Sequence, residues 1–232
     1  MEKWQRWGTA LGRLVFYGLM AVGLWLMASA SCSYLELAEA HPFFLEKLPL
    51  AHPRLWRSAL YVHVPAALLS LPACIVLLVR QVRNRWPRLH RWLGRVTGAL
   101  ILGAVVPTGM YLALFAQGGL ITTLGFWLTG TLTFVTMLKS IESARAKNMK
   151  AHRRFSAHVA AQLCVAVISR FLLIGAETFG LYDPWAYAAA LWIPVLACAL
   201  VAECATGPRL FSTSKGSRHE KLVPVSGLDA LR

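Results

Sequence analysis

Hydrophobic positions along this chain come in six long blocks separated by short polar connections, rather than in alternating or 3.6-periodic stripes. The blocks are Leu14–Ala30, Ser58–Val79, Val96–Phe115, Leu120–Leu138, Phe155–Ala176 and Trp185–Ala202. A helix needs roughly 20 apolar residues to cross a hydrocarbon layer of about 30 Å. The pattern therefore predicts an all-α integral membrane bundle of six transmembrane helices over 1–206, followed by a polar tail at 207–232. Buried strands are shorter than these blocks.

The connections predict their own structure. Residues 31–57 form the longest outer segment, where Pro42, Pro49 and Pro53 oppose a long helix. Glu36 and Glu39 suggest a short surface helix there. Arg80–Arg95 reads as a short turn and an interfacial extension of the third span, with Trp86 and Trp92 at headgroup level. Gln117-Gly118-Gly119 is a tight turn, Lys139–Arg154 a basic connector, and Thr178–Pro184 a short loop. Pro65, Pro72, Pro107 and Pro194 would kink their spans, nearby Ser or Thr re-satisfying the freed carbonyls. Thr129, Gly130, Thr131 and Thr133 give the fourth span a small face for close packing.

Charge fixes the expected orientation. With the N-terminus in the cytoplasm, alternation places 20 of the 24 Lys and Arg on that side. This satisfies the positive-inside rule and puts both termini in the cytoplasm. The ten acids divide evenly, as a rule counting only Lys and Arg allows. The net charge of +14 is therefore assigned to topology and to attraction for anionic lipid. Nucleic acid is excluded as a partner, since stacking aromatics are not interleaved with the basic runs. The expected location is a bacterial inner membrane. Ala28-Ser29-Ala30 resembles a signal-peptide cleavage site, but the apolar stretch before it is long for one, and retention as the first span is expected. The five cysteines form no CxxC pair and read as small hydrophobes.

Ionisable groups inside membrane spans are costly and raise a functional question. They are His63, His158 and Arg170, with Gln162 as an uncharged companion. Two basic clusters, His90-Arg91-Trp92-Leu93-Gly94-Arg95 and His152-Arg153-Arg154-Phe155, precede odd-numbered spans and so share one side of the membrane. His152 and Arg170 are 18 residues apart, five helical turns, and project from one face. Counted from the expected span ends, Arg170 and His63 lie at similar depth, roughly 8–9 Å below the outer boundary. Arg170 is expected to face the bundle interior, towards the second span and His63.

These residues carry a resemblance. His63, Pro87 through Val96, Gly118-Gly119, Gly125-Phe126, His152 through Phe155, Arg170, Trp192-Ile193-Pro194 and Ala202-Glu203 resemble a bacterial family of predicted multi-pass membrane proteins without an assigned function. The family pattern looks like a His-Arg-Trp-Leu-Gly-Arg motif and a His-Arg-x-Trp motif flanking a helix hairpin. This chain departs from it at Phe155, His158 and Val195, where Trp, Arg and Asn are expected. The resemblance implies the fold and the choice of residues, not an activity.

Three functions remain open. One is a b-type haem or quinol-linked electron-transfer protein, since helical bundles hold haem between facing histidines. It is similar in size to b561-like membrane cytochromes. His63, His90, His152 and His158 are the candidates for haem iron, and Arg91, Arg95, Arg154 or Arg170 for the propionates. A second is transport or recognition of an anionic or lipid-like molecule by the His and Arg clusters. A third is an accessory or assembly subunit docking a membrane-protein partner. Soluble enzyme chemistry is disfavoured: Glu203 and Asp183 read as isolated carboxylates, and no nucleophile has a placed base. His41 and His52 in the outer loop are read as solvated, and His219 in the tail is assigned no role.

Overall fold

The computed structural model describes residues 2–36, 52–181 and 183–206. His41, Glu39, His219 and the tail 207–232 lie outside them. Among the described residues there are helices and turns but no strand. The first span is α1 (Glu2–Glu36). The second is α2 (Pro53–Leu78), followed by a short helix α3 (Arg80–Arg85). The third joins α4 (Pro87–Leu100), a π turn at Ile101–Val105 and α5 (Val106–Ala113). The last three are α6 (Leu120–Arg145), α7 (Met149–Thr178) and α8 (Pro184–Thr206). Six helices thus have the length and apolarity to cross a membrane. An even number of crossings returns Thr206 to the end of the bundle where Glu2 starts.

The helices begin and end where local chemistry directs. Trp86 precedes a proline, which pushes it out of the helical region to φ −130°, ψ 65°. Pro87 then starts α4, having no N–H to leave unpaired. The turn before α6 uses glycine where φ is positive, at Gly118 (87°) and Gly119 (67°). The Asn148 side chain accepts from the Ala151 N–H at 3.1 Å, capping α7. Asp183 caps α8, its Oδ1 accepting from Trp185 N and Ala186 N at 2.8 and 2.9 Å. The basic connector expected at Lys139–Arg154 is much shorter than that: only residues 146–148 separate α6 from α7. Apolarity sets where a helix crosses lipid, but helix propensity carries it past that boundary into water.

The burial pattern suits lipid as the solvent. Leu69 and Leu200 are 62% and 65% exposed, whereas Ser70 is fully enclosed. The main core joins Ile101 of the π turn to Met137 on α6 and to Val159, Leu163 and Val167 on α7. A second cluster joins Val165 to Leu191, Val195 and Cys198 on α8. Helix α7 is thus the central element, packed on both α6 and α8. Small residues permit close approach, as at Gly130, where an added Cβ would lie 3.3 Å from Met110. Buried Gln162 ties three helices together. The Thr129 hydroxyl donates to its Oε1 at 2.7 Å, and its Nε2 donates to the Val195 carbonyl at 3.3 Å. Cys74, Cys164 and Cys198 are buried free thiols.

Candidate functional site

The four candidate histidines do not form one cluster. His63, on α2, meets the distorted third span. Within the π turn, the Val106 N–H bonds to Ile101, five residues back. Pro107 supplies no N–H to the carbonyl four residues before it. His63 Nδ1 lies 3.0 Å from the Val105 carbonyl and 3.1 Å from Thr108 Oγ1. A carbonyl can only accept, so Nδ1 carries the proton. Thr108 donates its own hydrogen to the Ala104 carbonyl at 2.5 Å. The ring lies against Gly109, where an added Cβ would stand 2.8 Å from His63 Cε1.

His152 and His90 form a second group at the arginine-rich end of the bundle. His152 Nδ1 is 3.0 Å from the Ser140 carbonyl and 3.1 Å from Ser140 Oγ. It therefore carries the ring proton and leaves Nε2 with a lone pair. Ser140 Oγ is also bonded to Ser156 Oγ at 2.8 Å, which fixes α6 against α7. His90 projects from α4 into electrostatic range of the His152 imidazole and of Arg83 and Arg91. Its Nδ1 is buried and has no hydrogen-bond partner among the described residues. The two basic clusters stand at the same end of the bundle, with the His90 ring in electrostatic range of the His152 ring.

His158 belongs to a third group. Arg154 and His158 sit one turn apart on α7 and both reach Glu203 near the end of α8. Arg154 Nε donates to Glu203 Oε2 at 3.2 Å and its terminal nitrogen donates to Oε1, a two-point clamp. His158 Nε2 is 2.9 Å from Glu203 Oε2. The reading of Glu203 as an isolated carboxylate is thus overturned. Sequence separations of 49 and 45 residues conceal the contact. A signal for it does exist: α7 and α8 form a hairpin, and these residues stand at comparable distances from its loop. With Nε2 turned to a carboxylate, His158 has no lone pair on that nitrogen for a metal, and Arg154 is already matched in charge.

Arg170 departs from expectation more sharply. Its side chain is exposed, and among the described residues it makes no hydrogen bond or ion pair. Five turns do separate it from His152, but the face they share turns outward at Arg170. His63 bonds the third span instead. Arg91 and Arg95 are exposed on α4. No three His, Cys, Asp or Glu side chains among the described residues converge in a way that would hold a metal ion.

Six apolar helices, a core centred on one of them and polar ties between helices define a multi-pass membrane bundle. The family described as "Predicted membrane protein (DUF2306)" matches residues 60–206, the second to sixth spans and every histidine group above, and the chain belongs to it. No curated protein and no solved structure matches the chain.

Proposed function

We propose that the chain is a b-type haem electron-transfer protein of the bacterial inner membrane, working with a quinol. His90 and His152 would be the iron ligands, and Arg91 and Arg95 would meet the propionates. The observation that supports this reading is two imidazoles from different helices in electrostatic range of one another, one of them anchored through its Nδ1. Metal-binding histidines usually donate the second ring N–H to a carbonyl, which fixes the tautomer and orients the free nitrogen. His152 does so through Ser140. His90 adds a buried nitrogen without a partner, a state that costs about 1–3 kcal/mol unless something binds it. Two nitrogens without a third protein ligand fit haem, whose porphyrin fills the equatorial positions. They do not fit structural zinc, which takes four ligands. A bound haem would supply one-electron transfer. The chain's own part is to orient His152 through Ser140 and Ser156, and to supply positive charge through Arg91 and Arg95.

The test is an absorption spectrum of the detergent-purified protein from haem-sufficient cells, oxidised and then reduced. A b-type Soret band that disappears in His152→Ala is expected. A colourless preparation would end this reading.

A further inference from the structure

We propose that the elbow between α3 and α4 is a binding site for the phosphate headgroup of an anionic phospholipid, gripped by Arg85 and Arg88 beside Trp86. The proposal does not rest on the haem reading. The chain breaks at Trp86 and leaves an open cleft of about 510 Å³ lined by Arg85, Trp86, Pro87, Arg88 and Leu89. Two arginines thus line the cleft together with the apolar Trp86, Pro87 and Leu89.

Charge complementarity identifies the occupant. Six arginines fall between residues 80 and 95, and no acidic residue occurs between Glu46 and Glu142. None of the six makes an ion pair among the described residues. This contrasts with Arg154, at the same end of the bundle, which is held by Glu203. The elbow thus concentrates cations that the rest of the described protein does not neutralise. Arginine's planar fork suits a phosphate in two-point contact better than a lysine would.

Placement selects lipid over a soluble anion. Trp86 is 54% exposed, Leu89 44% and Trp92 61%. Arg88, Arg91, Trp92 and Arg95 fall on one stripe of α4 at helical spacing, and Thr97 and Gly98 are buried. Exposed tryptophans beside arginines mark the membrane–water boundary, with rings at headgroup level and charges among the phosphates. A lipid there would place acyl chains against Trp86 and Leu89 and its phosphate between Arg85 and Arg88. A free phosphate would leave those apolar groups uncovered.

The experiment uses the full chain in nanodiscs of phosphatidylcholine with about one-third phosphatidylglycerol, followed by detergent extraction and quantification of co-purifying lipid. Losing two arginines beside an anionic surface should lower retained phosphatidylglycerol roughly thirtyfold. R85Q/R88Q should show that loss, and R145Q/K147Q, which removes the same charge from the neighbouring connector, should not. Equal loss in both double variants, or equal retention of the two lipids by the wild type, overturns the site. Displacement of the lipid by millimolar inorganic phosphate would assign the cleft to a soluble anion and overturn the lipid assignment. Brominated phosphatidylglycerol provides a second measurement if R85Q/R88Q is poorly recovered. It should quench the wild type more than W86F, and equal quenching refutes the placement.

Discussion

His63 and His152 are anchored alike and surrounded differently. Each donates its Nδ1 proton to a backbone carbonyl on another helix, at 3.0 Å in both cases, and each has a hydroxyl at 3.1 Å. His63 sits in the half of the bundle away from the arginine-rich end, against the π turn, with Gly109 under its ring and no second histidine near it among the described residues. His152 sits at the arginine-rich end with His90 in electrostatic range. An anchored imidazole is therefore not yet a ligand site. At His63 the anchor ties α2 to the distorted third span. At His152 the same anchor leaves Nε2 with a lone pair, at the end of the bundle where the buried Nδ1 of His90 is unpartnered.

The sharpest way to break this comparison is to remove each ring in turn. His152→Ala and His90→Ala should each abolish the Soret band, and His63→Ala should retain most of it while lowering thermal stability. Spectra of the three purified variants, normalised to protein, decide the matter. Loss in His63→Ala alone would move the site to the opposite half of the bundle and reverse the roles of His63 and His152.

Gly109→Ala comes next, because it perturbs His63 without touching its chemistry. The new Cβ would press on Cε1 at 2.8 Å, and a ring held by two acceptors has little freedom to yield. Overpacking of this kind costs about 1–3 kcal/mol. A thermal melt in detergent should show the drop, with the Soret band unchanged. Gly103→Ala is the comparison: nothing lies within 4 Å of an added Cβ there. A Gly109→Ala protein no less stable than Gly103→Ala would show that the ring at 109 is not confined.

Much of this molecule is legible in the sequence, and the parts that are not share a cause. The six spans follow from apolar length, and the helical extension from Pro87 follows from Trp86-Pro87, although Arg80–Arg85 before it is a short helix where a turn is expected. The glycine turn at 118–119 likewise follows from local chemistry. That the His90 and His152 clusters share one end of the bundle follows from counting crossings. What escapes depends on rotation of one helix about its axis. Depth along a helix can be counted in residues, but the azimuth facing a neighbour is set by packing. Hence Arg170, whose depth is a matter of counting, is expected to point inward and does not. Glu203 and Arg154 share an end of the bundle, yet their contact requires two particular faces of α7 and α8 to meet. The π turn is unreadable for a related reason: Pro107 predicts a kink, not which hydrogen-bond register absorbs it.

A smaller effect probes the tie that holds both ends in register. Thr129→Val removes the donor to Gln162 while keeping shape. The Gln162 bond to Val195 then has to orient the amide alone. Interhelical hydrogen bonds in membranes average about 0.6 kcal/mol, so a shift of that order in detergent unfolding is expected. Gln162→Leu removes both bonds and should cost no more than about twice that. A cost of several kcal/mol in either variant would show that Gln162 does more than join helices.

Arg170→Leu should have the smallest effect of all, and for a reason opposite to its prominence in the sequence. The guanidinium lies eight residues inside the end of α7 at Thr178, about 12 Å along the helix. An arginine at depth disfavours insertion by as much as about 2.5–3.5 kcal/mol when central, and by less when its side chain can reach the interface. Its exposed side chain has the freedom to make that reach, and no described residue holds it back. Leucine removes the cost and takes away no contact seen among the described residues. Membrane yield should be unchanged or higher, and the Soret band and melting temperature unchanged. A fall in yield or colour would mean that Arg170 is held by something beyond the described residues.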